Sequence, residues 1–229
     1  MTDRSFVHAL ALGLDPAWRR LPAEERCGSA EELVAAVEAQ SDVTTHAYST
    51  IGLNAGTDLL LWALGPSLDA LEERAAALLR TGMGRWTRVT HSFLGIIQRS
   101  QYVKKPTPQE QSLFSGERSR YLVVYPFTKS TDWYLLSREA RQGIMNEHMR
   151  IGHDFPEVRQ LLANSFGVDD MDFLVAYETD DLGRFSELVR ALRETESRRS
   201  TVRDTPILTG VHRPIAEITA MLGAVGGKP

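Results

Sequence analysis

The segment NEHMRIGH, residues 146–153, contains two of the chain's six histidines, His148 and His153. A histidine changes its charge near neutral pH, and its neutral imidazole is also a common metal ligand. Zinc binding by this pair is poorly supported, because the spacing is not His-x-x-x-His and Cys27 is the only cysteine. The chemistry open to the segment therefore depends on which histidine faces the protein interior.

The sequence around the two histidines predicts an amphipathic helix. Ser137 is a suitable N-cap, and Gly152 is a typical residue for the end of a helix. At 3.6 residues per turn, His148 falls on one apolar face with Ile144 and Ile151. We therefore expect His148 to point inward, and we expect His153 to lie beyond the helix end as an exposed residue.

An internal repeat organises the chain. The segment DPAWRRLPAEER (15–26) resembles STDWYLLSREAR (130–141), so that Trp18 corresponds to Trp133. The same spacing carries STIGL (49–53) onto NSFGV (164–168). A shift shorter by one residue then carries LDALEERAAALLRT (68–81) onto LGRFSELVRALRET (182–195). A spacing this constant indicates that the chain consists of two halves with the same fold.

Each half has the predicted element order β-α-β-β-α-β. The strands follow from alternating apolar residues with aromatic and β-branched enrichment, and the helices follow from apolar residues at helical spacing. This order is the ferredoxin-like motif. We predict an N-terminal half at 1–103, a polar, proline-containing linker at 104–118 and a C-terminal half at 119–229. The fold class is α+β, with antiparallel sheets and outer helices.

The repeat also shows where the two halves differ. His148 corresponds to Leu33, an ordinary core position of the N-terminal half. Burying a polar group costs free energy unless another group bonds to it. Two interpretations follow: His148 is a core histidine bonded to a backbone carbonyl, or it is the ligand of a haem iron in an apolar cavity.

Composition excludes several classes of protein. The formal net charge of −4 argues against a nucleic-acid-binding face. No apolar stretch approaches the roughly 18–20 residues that a membrane span needs, and the N-terminus lacks the features of a secretory signal. A single cysteine excludes an intrachain disulfide. We therefore expect a cytoplasmic protein.

Four segments of the C-terminal half together resemble the chlorite dismutase superfamily, which includes the coproheme decarboxylases of bacterial haem synthesis. They are YPFTKSTDWYLL (125–136), NEHMRIG (146–152), SFGVDDMDFLVAYETDD (165–181) and ALRETESRRSTVRDTP (191–206). The resemblance implies a dimeric α+β barrel, homopentamers, and an iron porphyrin (haem b or coproheme) bound in the C-terminal half.

The resemblance also implies roles for individual residues. His148 is the proximal iron ligand, and Glu196 accepts a hydrogen bond from its second ring nitrogen. Tyr125 is the tyrosine that is oxidised to a radical beside a porphyrin propionate. Lys129 holds a propionate. Lys104, Lys105 and Arg118 near the linker are weaker candidates for propionate contacts.

One distal position separates the reactions of the superfamily. Members that degrade chlorite have an arginine seven residues before the glycine that corresponds to Gly167, and this count gives Gln160. Arg159 is adjacent, so a shift of one residue would reverse the conclusion. Both Gln160 and Arg159 are therefore retained as catalytic candidates.

These residues favour a haem-dependent oxidoreductase that converts coproheme to haem b by oxidative decarboxylation with hydrogen peroxide. Three alternatives remain open: a chlorite dismutase or peroxidase-like haem enzyme that acts on a small oxyanion or peroxide, a non-catalytic haem-binding protein, and a haem-free scaffold whose His148 is simply core. The expected partners are an iron porphyrin and further copies of the chain, with no nucleic acid.

Overall fold

The computed structural model describes residues 5–97 and 117–224. The chain divides into two compact units. The N-terminal unit contains Met1–Ile96 and Thr209–Pro229, and the C-terminal unit contains Ile97–Leu208. Among the described residues, no helix is long and apolar enough to cross a membrane.

Nine strands and six helices are formed by the described residues. The strands are β1 (Ser5–Leu14), β2 (Thr44–Asn54), β3 (Thr57–Gly65), β4 (Thr87–Ile97), β5 (Tyr121–Lys129), β6 (Arg159–Asn164), β7 (Phe173–Thr179), β8 (Thr201–Arg203) and β9 (Leu208–His212). The helices are α1 (Ala23–Glu38), α2 (Leu68–Arg80), α3 (Thr131–Leu135), α4 (Arg138–His153), α5 (Leu182–Arg193) and α6 (Ile215–Leu222). Three short 3₁₀ turns lie at Pro16–Arg20, Gly84–Trp86 and Glu196–Ser200.

The N-terminal unit has an antiparallel sheet with the strand order β4-β1-β3-β2-β9. The first four strands have the ferredoxin-like arrangement. Side chains alternate between the two faces of a strand, so Leu10 and Leu12 of β1 share a face with Leu59 and Leu61 of β3. This face packs against α1, where Leu33 is buried. A continuous apolar core therefore fills the space between sheet and helices in this unit.

The end of the chain belongs to the N-terminal unit, whereas the sequence analysis assigned it to the C-terminal half, 119–229. Strand β9 pairs with β2, with His212 opposite Tyr48. Helix α6 buries Ile215 and Ile218 in the same core cluster as α1. Hydrogen bonds and apolar burial thus join 209–224 to the first half, a long-range pairing that local periodicity does not reveal.

The C-terminal unit has the strand order β6-β7-β5-β8, which is again ferredoxin-like. Strand β7 pairs with β5 on one side and with β6 on the other. Helix α5 packs on this sheet through Leu188 and Phe185, which join a cluster with Val175 and Tyr177. The α+β class predicted from the sequence is confirmed.

Corresponding positions of the repeat adopt the same local structure. Gly52 and Gly167 both have positive φ angles, +71° and +69°, a conformation that glycine adopts without steric cost. Trp18 and Trp133 are both buried in the short turn that follows the first strand of each unit. The repeat seen in the sequence is therefore also present in the local backbone structure of the two halves.

Two element boundaries differ from the sequence predictions. Helix α4 continues through His153, and its C-cap is Asp154 in a right-handed conformation, so Gly152 does not end it. The helix stops just before Phe155 and Pro156, since a residue that precedes proline disfavours helical angles. Strand β6 ends at Asn164, so most of the segment 164–168 lies beyond the strand, whereas the matching segment 49–53 lies within β2. Most of the predicted linker, 104–116, lies outside the described residues, and Lys104 and Lys105 lie there too.

A buried carboxylate organises one face of the C-terminal sheet. The side chain of Glu178 on β7 is fully buried and pairs with Arg159 at 3.0 Å and with Arg118 at 3.6 Å. Removing one partner of a buried ion pair leaves the opposite charge uncompensated. Glu178 is therefore important for the stability of this unit.

We predict that Glu178→Gln lowers the free energy of unfolding by about 3–5 kcal/mol, because two arginines lose their buried counter-charge. Urea denaturation measures the change. The matched control is Glu187→Gln, which removes an exposed partner of Arg184 and should cost at most about 1 kcal/mol. Equal losses in the two variants would contradict the structural role of Glu178.

Candidate haem site

One face of the C-terminal sheet carries two of the predicted site residues, Tyr125 and Gln160. On β5, Tyr125 lies opposite Val175 of β7, and Val123 lies opposite Tyr177. Tyr125 and Tyr177 therefore point to the same side, where they pack with Phe185 and Leu188 of α5. We call this side of the sheet the helix-side face. Any group held between the sheet and its helices contacts this face.

Helix α4 brings His148 to the C-terminal unit. The side chain of Ser137 caps the helix by accepting a hydrogen bond from the N–H of Ala140, as the sequence predicted. None of the sixteen residues of α4, all of which the structure describes, is fully buried. Its repeat partner α1 buries Leu33 and two further residues, Ala30 and Val37. The apolar side of α4 is thus only partly covered, which suits contact with a flat apolar ligand.

The imidazole of His148 is neutral and has an unsatisfied nitrogen. Its Nδ1 is buried and has no hydrogen-bond partner among the described residues. Burial, followed by the positive charge of Lys129, lowers the pKa of His148 to about 4, while Glu147 acts in the opposite direction. A neutral imidazole keeps a lone pair for a metal ion, and ligating histidines usually donate their other N–H to an acceptor. His148 therefore fits a haem iron. His153 is exposed at the end of α4, as predicted.

The described residues contain no group of three or more histidine, cysteine, aspartate or glutamate side chains that could hold a metal ion. A protein-only metal centre usually needs three or four such ligands. Haem iron needs one axial side chain, since the porphyrin supplies the other nitrogens. A single inward imidazole on α4 is consistent with that second arrangement.

Glu196 does not contact His148 in this structure. Its carboxylate is more than half exposed and pairs with Arg199 at 3.2 Å. Its backbone N–H donates to the carboxylate of Glu147 at 3.2 Å, which fixes the turn Glu196–Ser200 against α4. The turn is therefore beside the histidine, although the predicted hydrogen bond from His148 to the Glu196 side chain is not formed. That bond stays a prediction for the haem-loaded protein.

Lys129 lies at the end of β5 and is almost completely buried. Its Nζ donates to the carbonyl oxygen of Ser197 at 2.7 Å and to the Ser197 hydroxyl at 3.0 Å. The ammonium also lies 4.6 Å from the centroid of the Trp133 ring. Burial and then the charge of Arg198 lower the pKa of Lys129 to about 8. An ammonium has three donors, so one remains for a ligand beside His148.

The strand register separates Gln160 from Arg159. Gln160 lies opposite Tyr177 and therefore on the helix-side face, with Tyr125. Arg159 lies opposite Glu178 on the other face, where it forms the ion pair described above and donates to the Ser119 hydroxyl at 2.7 Å. The structure thus brings Gln160 to the side of the sheet that carries Tyr125, and it does not bring Arg159 there.

Tyr177 is a candidate residue that the sequence analysis missed. Its ring stacks on that of Tyr125, with centroids 6.2 Å apart and an interplanar angle of 28°. The alternation in FLVAYET already places Phe173, Val175 and Tyr177 on one face. The sequence does not show that β7 is the neighbour of β5, because this pairing joins strands that are far apart in the chain.

A separate pocket of about 400 Å³ opens in the N-terminal unit, with His46, Arg74 and His212 among its lining residues. None of the predicted site residues lines it. Arg74 donates to the carbonyl oxygen of Val37 and to the Thr45 hydroxyl. The buried arginine thereby satisfies the C-terminal end of α1, so its position has a structural explanation.

Comparison with known proteins identifies the family of the chain. The family model described as chlorite dismutase matches residues 23–213. The chain belongs to the chlorite dismutase family. This match covers both units, including the two strands that carry Tyr125 and Gln160 and the helix that carries His148.

Relatives of known activity match most of the chain. The coproheme decarboxylase of Mycolicibacterium smegmatis is 29% identical over 204 residues, which are 87% of this chain and 87% of that protein. The chlorite dismutase of Ideonella dechloratans is 28% identical over 226 residues, 95% of this chain and 79% of that protein. Similarity to both proteins at nearly equal identity does not separate the two activities.

Solved structures of the family show the same fold. The chlorite dismutase of Candidatus Nitrospira defluvii in complex with imidazole matches with a TM-score of 0.86 and 29% identity, covering 95% of this chain and 94% of that one. A mutant of the same enzyme matches with a TM-score of 0.87, covering 96% of each chain. The predicted fold and family are thereby confirmed.

The lowered pKa of His148 predicts a pH-dependent stability of the haem-free protein. An unfolded histidine has a pKa near ~6.5, whereas folded His148 has a pKa of about 4. Between these values the unfolded chain binds more protons, so the free energy of unfolding falls as the pH is lowered through this window, by about 3 kcal/mol. Denaturation of wild type and His148→Leu at several pH values measures the difference.

Leucine occupies the corresponding position 33, so it should fit at position 148, and it does not titrate. The free energy of unfolding of His148→Leu should therefore depend less on pH than that of wild type between the two pKa values. The matched control is His153→Ala on the same helix, which leaves the burial of His148 intact and should keep the wild-type slope. If His148→Leu and wild type lose stability in parallel, His148 is not the buried neutral group described here.

Proposed function

We propose that the protein is a haem-dependent oxidoreductase that converts coproheme to haem b by oxidative decarboxylation with hydrogen peroxide. One observation carries the proposal: Tyr125 and Gln160 lie together on the helix-side face. Arg159 lies on the opposite face, where it pairs with Glu178. The relative named coproheme decarboxylase supports the same choice.

The residues of the C-terminal unit suit an anionic porphyrin. The neutral imidazole of His148 is the proposed iron ligand, and the partly covered apolar side of α4 would lie against the ring. The free donor of Lys129 suits a propionate carboxylate, since a buried ammonium is stabilised by an opposite charge. When bound, the iron porphyrin supplies, with peroxide, the oxidising power for the reaction.

Tyr125 is proposed to transfer the oxidising equivalent to the substrate side chain. Burial and the neighbouring Tyr177 raise its pKa well above the ordinary value, so the phenol is protonated at neutral pH. It loses a proton and an electron together, and its oxygen then takes a hydrogen atom from the propionate. The propionate loses its carboxylate as CO₂ and a second electron, which leaves a vinyl group. For each propionate, one hydrogen peroxide accepts both electrons, together with the proton from Tyr125 and one proton from solvent, and is reduced to two molecules of water.

Gln160 distinguishes this reaction from chlorite dismutation. Its amide is a neutral group that can hydrogen-bond peroxide but offers no positive charge to a leaving oxyanion. Arg159 has that charge, but its guanidinium is committed to Glu178 and Ser119. We therefore favour decarboxylation, and we keep chlorite dismutase activity as the second candidate because of the relative from Ideonella dechloratans.

Cytoplasmic location and a homopentameric assembly are also part of this proposal; the first rests on the single cysteine of the sequence, and the second rests on the family resemblance. Light scattering on the purified protein measures the assembly. A monodisperse species of any other size would contradict the pentamer without affecting the proposed chemistry.

We predict that the purified protein, given coproheme and hydrogen peroxide, forms haem b with loss of two carboxyl groups, as measured by mass spectrometry of the porphyrin. Tyr125→Phe should bind coproheme normally and lose decarboxylation, because phenylalanine has no O–H hydrogen to exchange. The matched control is Tyr121→Phe, a tyrosine of the same strand and the same face, which should keep the activity.

His148→Ala tests the iron ligand separately. This variant should lose the Soret band of the bound porphyrin, or show a band shifted to that of a differently ligated iron. Turnover by Tyr125→Phe at the wild-type rate would remove the proposed role of Tyr125, and an unchanged Soret spectrum in His148→Ala would remove that of His148.

We predict negligible oxygen release from chlorite by the haem-loaded wild type, because no cation of β6 lies on the helix-side face. Gln160→Arg adds that cation and should raise oxygen release, which an oxygen electrode measures. Chlorite turnover by the wild type that disappears in Arg159→Gln would favour the second candidate function instead.

A further inference from the structure

Tyr177 lies directly beside Tyr125 within the sheet of the C-terminal unit. The register pairs Tyr125 with Val175 and Val123 with Tyr177, so the two tyrosines are diagonal neighbours on one face of adjacent antiparallel strands. Their rings are nearly parallel, with centroids 6.2 Å apart. The two hydroxyls are close enough to influence each other's pKa. The two phenols therefore form one contact pair.

The two tyrosines differ in burial. Tyr125 is half-buried, whereas only 4% of Tyr177 is exposed. Tyr177 is enclosed by Val158, Leu188 and the ring of Phe185, whose centroid is 5.2 Å away. Burial raises the pKa of Tyr177 to about 12, so this phenol also keeps its proton at neutral pH. The pair thus has an accessible member and an enclosed member, each with an O–H bond.

We propose that Tyr177 is a second redox-active tyrosine, which exchanges a hydrogen atom with the radical of Tyr125. This inference rests on the function proposed above and adds a positioning residue that acts through Tyr125. In the exchange, the O–H bond of Tyr177 breaks as its electron and proton move together to the Tyr125 oxygen, where a new O–H bond forms. The radical then resides on Tyr177.

The exchange is energetically feasible at this position for two reasons: it is nearly thermoneutral, and it creates no buried charge. The bond that breaks and the bond that forms are the same phenolic O–H bond, so the step is nearly thermoneutral. Moving the proton with the electron creates no charge, and an isolated charge in this apolar cluster would be costly. Electron transfer without the proton would leave a phenolate on Tyr125 and a cationic radical on Tyr177, and Phe185 and Leu188 beside Tyr177 cannot solvate that charge.

The exchange would also protect the oxidising equivalent. A radical on Tyr125 is accessible to whatever enters the site, whereas a radical on Tyr177 is surrounded by apolar side chains. When no propionate is in place, the equivalent is held on Tyr177, and the reverse exchange returns it to Tyr125. The structure of the pair thus gives Tyr177 a role that packing alone does not require, because phenylalanine would fill the same volume.

Electron paramagnetic resonance tests the proposal directly. Coproheme-loaded wild type, Tyr177→Phe, Tyr125→Phe and Tyr121→Phe are mixed with hydrogen peroxide and frozen at successive times. The hyperfine pattern of a tyrosyl radical depends on its side-chain dihedral angle, so the two sites give different signals. We expect two components in wild type and in Tyr121→Phe, complete loss of the second component in Tyr177→Phe, and loss of both in Tyr125→Phe.

A second variant guards against a folding defect in Tyr177→Phe. Incorporating 3-aminotyrosine at position 177 keeps the ring and the hydroxyl, and its lower reduction potential traps a radical that reaches it. An aminotyrosyl signal that depends on Tyr125 supports the exchange. Identical signals and decay rates in wild type and Tyr177→Phe, together with no aminotyrosyl signal, would overturn it.

The outcomes also separate this inference from the proposed function. If a Tyr125 radical forms and decarboxylation proceeds but position 177 has no effect, only the exchange is wrong. If Tyr125→Phe gives the same radical signals and the same haem b yield as wild type, the proposed function of Tyr125 fails, and the exchange fails with it.

Discussion

The register of β7 between β5 and β6 is the constraint on which the candidate site depends. Each residue of β7 faces one of two environments, because side chains alternate strictly along a strand. Tyr177 and Val175 face the helices with Tyr125, whereas Glu178 faces the other side with Arg159. A slip of β7 by one residue would place Glu178 against α5 and Tyr177 on the opposite side, so each would lose its partner on the neighbouring strand. The buried ion pairs of Glu178 penalise such a slip, so the charged pairs on one face fix the position of the candidate site residues on the other.

The repeat explains why the candidate haem site lies in one unit and has no counterpart at the corresponding position of the other. Both units place a helix over a ferredoxin-like sheet at corresponding positions. In the N-terminal unit, α1 fills the intervening space with Leu33 and its neighbours, which form a continuous apolar core. In the C-terminal unit, α4 has His148 at that position and buries none of its residues fully. The same architecture thus provides a scaffold in one unit and a candidate binding site in the other, through a change in side chains rather than in topology.

Local pattern predicted most of the elements, because periodicity and the repeat depend on neighbouring residues. The N-cap at Ser137, the inward direction of His148 and the ferredoxin-like order of each unit were all readable in this way. Pairing between distant strands could not be predicted from local pattern. The position of β9 beside β2, the separation of Gln160 from Arg159 and the contact between Tyr125 and Tyr177 all follow from register, which the sequence of one strand does not specify. The side chain of Glu196 shows a further limit, since its pairing with Arg199 depends on the precise path of a short turn.

The charges around His148 complete the physical description of the site. Lys129 is buried, and none of the described carboxylates forms an ion pair with it; its ammonium is held by the neutral oxygens of Ser197 and by the Trp133 ring. Such a cation is costly to bury, and its lowered pKa reports that cost. Burial, and then this charge, lower the pKa of His148 and keep its imidazole neutral and able to bind a metal. A ligand that brings both a metal centre and carboxylates would offset the two costs together, because the iron takes the imidazole lone pair and a carboxylate takes the ammonium. An iron porphyrin with propionate side chains has this combination, whereas a free metal ion would satisfy only the imidazole and an apolar ligand would satisfy neither group.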